Sequence, residues 1–83
     1  MSTTEMDNII RERFFKALRE VISRKMIRGK KTFCDDHAIN RGTFYYVEKG
    51  TYAFTNPSWL TYLVSDFKVS PLWLLTGRGN MFM

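Results

Sequence analysis

Residues 32–50, TFCDDHAINRGTFYYVEKG, constrain the fold of this chain more than any other stretch. They divide into two short helical patterns around a joint of three residues, Ala38-Ile39-Asn40. In the first pattern Phe33, Cys34 and His37 fall at i, i+1 and i+4 and share one helix face. In the second, Phe44 and Val47 fall at i and i+3 and point inward together. That turns Arg41, Gly42, Tyr45, Tyr46 and Lys49 outward. The joint supplies a small residue, an apolar plug and a helix N-cap, since an Asn side chain can accept from a first-turn N–H. Gly50 follows where a helix ends best on a left-handed residue. The stretch reads as two packed helices, the second with a polar and aromatic outer face.

A chain of 83 residues makes one small domain, 1–83, with no room for a second core. Hydrophobic residues at 45% and aromatics at 16% suit a compact core rather than disorder. The net charge of +5 favours polyanionic partners, although solubility alone accounts for such an excess in many small proteins. A single cysteine cannot form an internal disulfide, so the fold needs no oxidising compartment. The opening MSTTEMDNII has no basic segment followed by an apolar one, which argues against a signal peptide. No apolar run approaches the roughly 20 residues of a membrane span. These features point to a cytoplasmic protein with no membrane partner.

Along the chain, residues 1–5 read as a frayed lead and a long amphipathic helix as running from Asp7 to Lys25. At about 100° per residue, Ile10, Phe14, Phe15, Ala17, Leu18, Val21 and Ile22 fall within an arc of roughly 160°. A membrane-surface helix would be more basic on its polar face; Glu12 and Glu20 dilute the charge here, so the helix belongs to a core. The following SRKMIRGKK carries five cations and no acid, with Gly29 as a helix breaker. It reads either as a solvated connection or as a phosphate-facing edge that brings Lys30 and Lys31 to the start of the next helix.

Beyond Gly50, TYAFTN reads as a loop, and Asn56-Pro57 opens a helix by cap and proline. Leu60, Leu63, Val64 and Phe67 supply its apolar stripe. Ser70-Pro71 repeats the device for a short last helix, 72–76, in which Trp73, Leu74 and Leu75 are expected to anchor the core. Gly77 ends it, and 78–83 form a short tail. The expected class is all-α, with five helices and no strand.

Two short helices around a tight turn, the second with an exposed polar face, describe a helix-turn-helix at about 32–49. From Lys31 to Gly77 the chain resembles the lambdoid phage repressor and Cro (Xre-type) family of DNA-binding domains. TFCDDHA is similar to the family's first motif helix, and VEKG (47–50) to the close of its recognition helix. NPSWLTYLVSDFKVSPLWLLTGRG resembles its fourth and fifth helices. Three positions depart from the pattern. Ala38 stands where the family usually has Gly, His37 where it is usually aliphatic, and TYAFTN lacks the basic residues often found there.

The resemblance implies a five-helix lambda-repressor-like domain that binds double-stranded DNA as a transcriptional regulator. The start of the second motif helix would then enter the major groove. Arg41 could make a bidentate contact to guanine, with Gly42, Tyr46 and Tyr45 also at the bases. Lys30, Lys31, Thr32, Asn40, Thr43, Lys49 and Tyr52 would meet the sugar–phosphate backbone. If one of the adjacent tyrosines is buried, Tyr45 is expected to be that one, leaning toward the first helix. Glu48 is expected to pair with a first-helix arginine such as Arg19 rather than to face phosphate. One short helix reads few base pairs, so a homodimer on a near-palindromic site is expected. The tail Met81-Phe82-Met83 either makes that contact or packs on its own domain.

An enzyme is a weaker reading. There is one His, one Cys and no glycine-rich phosphate loop, and Asp35 and Asp36 diverge by about 100° on a helix. No metal, cofactor or small-molecule substrate is expected. The stronger alternative is a protein-interaction or antitoxin-like module on the same scaffold, binding through Tyr45, Tyr46, Tyr52 and Phe54.

Overall fold

The computed structural model describes residues 2–83, which form five helices. The first, α1 (Thr3–Ser23), begins earlier than its apolar stripe requires. The Ser2 hydroxyl accepts from the Glu5 amide at 3.2 Å, and Glu5 adds a carboxylate to the first turn. A Ser followed three residues on by Glu can satisfy the otherwise unpaired N–H groups of a helix start. The expected frayed lead is therefore helical from Thr3 onward, and Met1 lies outside the described residues. At its other end α1 stops at Ser23, two residues short of the expected Lys25. Lys25 takes a left-handed φ of 60°, and the Met26 amide turns back to the Val21 carbonyl at 3.1 Å. Gly29 does not break this helix; it is extended and leads into α2 (Lys30–Asp36).

The arc expected on α1 is the one that is buried. Phe14, Phe15, Ala17, Leu18 and Val21 are enclosed, with Ile22 packed at the margin. Phe14 is the hub. Its ring centroid lies 4.9–6.2 Å from those of Phe15, Phe33, Phe44, Phe54 and Trp59. Each such aromatic pair adds about 0.5–1.5 kcal/mol beyond area burial, so this cluster is the main cohesive unit of the domain.

After α2 comes α3 (Arg41–Lys49), then α4 (Pro57–Phe67) and α5 (Pro71–Thr76). Pro57 stands in the first turn of α4 as expected, but Asn56 makes no side-chain cap. On α4 the expected stripe is rotated. Trp59 and Leu63 are buried, whereas Leu60 and Val64 are only partly covered. Trp59 is drawn in by the rings of Phe14, Phe44 and Phe54, contacts that no pattern local to α4 encodes.

In α5 the Ser70 hydroxyl accepts from the Trp73 amide at 3.2 Å, and Gly77 closes the helix at φ 75°. Leu74 is buried and Trp73 partly so, but Leu75 is 50% exposed and does not anchor the core. A six-residue helix buries one narrow face, and Leu75 lies about 100° round from Leu74.

The tail folds back on its own domain. The Ser70 amide donates to the Met81 carbonyl at 2.7 Å and the Met83 amide to the Lys68 carbonyl at 2.9 Å. Val69 and Phe82 form an isolated antiparallel bridge, and the Arg24 guanidinium sits 4.2 Å above the Phe82 ring. Among the described residues no helix is long and apolar enough to cross a membrane.

Candidate nucleic-acid interface

A short link, 37–40, joins α2 to α3. α2 ends at Asp36, two residues before the end of the expected TFCDDHA helix, and His37 caps it. Ala38 then takes φ 55°, the left-handed region that glycine adopts without penalty and alanine at about 1 kcal/mol. The turn accepts this because it is held on both sides. The Ile39 amide reaches the Cys34 carbonyl at 2.9 Å, and Ile39 packs against the core. Asn40 is the expected cap: its Oδ1 accepts from the Thr43 amide at 2.9 Å. Gly50 ends α3 at φ 85°.

His37 ties this turn to α4. Its Nδ1 lies 2.8 Å from the Phe33 carbonyl oxygen and its Nε2 2.8 Å from a carboxylate oxygen of Asp66. The imidazole also stacks on Tyr62, with centroids 4.1 Å apart and planes 16° from parallel. The side chain thus has three partners, Phe33 one turn back and Tyr62 and Asp66 spaced i, i+4 on α4.

With its ends fixed, α3 turns Phe44 and Val47 into the core, where they are 3% and 1% exposed. The opposite side holds Arg41, Gly42, Tyr45, Tyr46 and Lys49, all exposed. The expectation that Tyr45 is the buried tyrosine fails: Tyr45 is 52% exposed and Tyr46 41%. The side of α3 that leans on α1 is taken by Phe44, which packs on Phe15 of α1 with centroids 5.2 Å apart.

Tyr45, Tyr46 and Tyr52 form a row, with centroids 5.4 Å and 5.2 Å apart. The Tyr52 amide is held by the Tyr46 carbonyl at 3.2 Å, and Lys49 Nζ lies 5.0 Å from the Tyr45 ring centroid.

The charges around this face are sorted. Glu48 Oε2 accepts from Lys30 Nζ at 2.6 Å and lies 3.8 Å from Arg19 Nη1, so the acid is answered within the domain. The Arg19 partner was expected and the shorter Lys30 contact was not. Lys30 therefore spends part of its charge internally, while Lys31, Arg41 and Lys49 keep theirs toward solvent. Thr32 is half-buried in the first turn of α2, and Thr43 is exposed on α3.

Between α2 and α3 a recess of about 170 Å³ is lined by Cys34 and Phe44 together with Lys30, Lys31, Arg41 and Glu48. Burial pushes the Cys34 thiol above its ordinary value; Asp35 adds to the rise and Arg41 partly opposes it. A protonated, buried thiol is chemically quiet. Among the described residues no cluster of His, Cys, Asp or Glu is placed to hold a metal ion.

One cation beside this face escaped sequence reasoning. The Arg11 guanidinium lies against Gly50, close enough that a Cβ there would be 2.7 Å from Nη1. Its position on the polar side of the α1 pattern carried no hint that it reaches the end of α3. No family model, curated protein or solved structure matches the chain.

Proposed function

We propose that the protein is a sequence-specific double-stranded DNA-binding regulator of phage repressor/Cro type. In this reading α2 and α3 act as a helix-turn-helix, and α3 reads the major groove. The observation that carries it is the division of α3. Phe44 and Val47 are locked inward, while Arg41, Gly42, Tyr45, Tyr46 and Lys49 project together, and the one acid on the helix is answered by Lys30 and Arg19. A rigid helix with a cationic, polar and aromatic outer face is the kind of surface that reads base edges. In this reading Arg41 meets a guanine edge, and Lys31, Thr43 and Lys49 meet phosphates.

Two copies on a near-palindromic site would give useful specificity, because a single short helix contacts too few base pairs. Met81 and Phe82 are already packed against their own domain, so a contact between copies would use other residues.

Duplexes selected from a random pool test this reading. Binding should weaken with salt along a straight log–log line, and Arg41→Ala should cost about 1–3 kcal/mol on the selected site. If no duplex binds at low salt, the exposed tyrosines serve a protein partner instead.

A further inference from the structure

We infer that the recess where α1 ends binds a peptide segment of a partner protein in which acidic residues flank a large apolar side chain. The inference does not rest on the DNA reading. The fold divides the basic run that follows α1. Lys30 and Lys31 belong to α2, whereas Lys25 and Arg28, with Ile22, Met26 and Ile27, line an open recess of about 540 Å³.

The backbone sets this recess. The Lys25 amide donates to the Ile22 carbonyl at 2.9 Å and the Met26 amide to the Val21 carbonyl at 3.1 Å. These two bonds close a helix through one left-handed residue, a place where glycine sits without strain. Here that residue is Lys25, at φ 60°. The residue after it commonly packs back on the last helical turns. Met26 does not: it stays 47% exposed, outside the core that Ile22 and Ile27 join. Neither feature helps the domain cohere, and backbone strain of this kind collects at binding sites.

The charge is as uncovered as the methionine. From Val21 to Cys34 the chain has no acidic residue. Arg24 is answered by Glu20 and lies over the Phe82 ring, and Lys30 is answered by Glu48. Lys25 and Arg28 make no ion pair among the described residues. The recess therefore offers two unpaired cations beside aliphatic and thioether carbon.

Its complement is a pair of carboxylates set about an apolar side chain, which the flexible Met26 can pack against. A nucleic-acid phosphate would use the cations and leave Met26 uncovered. An anionic membrane calls for a longer apolar face than these three side chains make.

A displayed library of random peptides, selected on the full chain, tests this. Selected peptides should carry Asp or Glu on both sides of Leu, Phe or Met. Met26→Ser, a change at an exposed side chain, should weaken them about ten-fold, as for one large apolar contact. Lys25→Gly, which suits the left-handed angle, combined with Arg28→Gln should weaken them about three- to ten-fold and flatten their salt dependence. Binding of a DNA duplex should change little in either variant.

Peptides without acidic residues, or acidic peptides indifferent to these substitutions, overturn the inference, as does failure to enrich any peptide. A larger loss of binding to duplex DNA or to phosphatidylserine vesicles than to peptide also overturns it, by assigning the recess to phosphate or to lipid.

Discussion

The imidazole of His37 lies flat on the Tyr62 ring, 4.1 Å between centroids, and so fastens the turn before α3 to α4. With the contacts to the Phe33 carbonyl and to Asp66, this side chain makes three interactions at a site where its own exposure is 11%. His37→Ala should cost about 2–3 kcal/mol in urea unfolding, from lost packing and two lost hydrogen bonds. Asp66→Ala should cost less than about 1 kcal/mol, because the carboxylate is 48% exposed. His37→Leu should fall between them, restoring packing without the polar contacts. Equal losses for His37→Ala and Asp66→Ala would mean that the contact with Asp66, not the stack, holds the turn.

Ala38 offers the opposite change. Its φ of 55° is strained for alanine, and glycine relieves that strain while adding freedom to the unfolded chain. Ala38→Gly should therefore stabilise the domain by about 0.5–1 kcal/mol, read as a higher thermal midpoint. A lower midpoint would show that the turn does not hold this angle in solution.

Glu48 links stability to the proposed DNA binding. Its cationic partners Lys30 and Arg19 are 43% and 58% exposed, so Glu48→Gln should cost only about 0.5–1 kcal/mol of stability. On a duplex the same change should tighten binding and steepen the salt dependence by about one unit, because Lys30 is released to a phosphate. Unchanged slopes in both proteins would place Lys30 away from the DNA.

Cys34 supplies a pH signature. Burial first, then Asp35, raise the folded thiol above the ordinary value of 9.0, against a smaller opposing effect of Arg41. Below that value the thiol is neutral in both folded and unfolded chains, and its contribution to stability is fully present. As pH rises through and beyond it, the unfolded chain ionises first and stability falls until the folded pKa is passed. Cys34→Ala should be less stable than wild type near neutrality because of the cavity, and the gap should narrow between about pH 8 and about pH 10. Denaturant midpoints across that range measure it; a constant gap would mean the thiol is not buried in solution.

Much of this architecture can be read from short-range signals. The Asn40 cap, the Gly50 and Gly77 ends and the Ser70-Pro71 start each depend on two or three neighbouring residues, and all sit where the local chemistry puts them. The α1 core face follows from periodicity over one long helix. Ser2 and Glu5 carried an equally local signal for the true start of α1, masked by the polar composition of the lead.

What could not be read is what depends on distant partners. Trp59 is buried by rings from α1, α3 and the preceding loop, and the tail is held by amides at Ser70 and Met83. The outer face of α3 was legible from the inward spacing of Phe44 and Val47. The pairing of Glu48 with Lys30, 18 residues away in sequence, was not.

The aromatic cluster around Phe14 has a further consequence for how the domain can be divided. Its ring touches residues as near as Phe15 and as far along the chain as Trp59, with Phe33 and Phe44 between them. No single helix pair owns that cluster. A peptide comprising α2 and α3 alone would carry two of the rings and none of the surface that encloses them. It should remain unstructured in water, and grafting its outward residues elsewhere would need a host that rebuilds the hub.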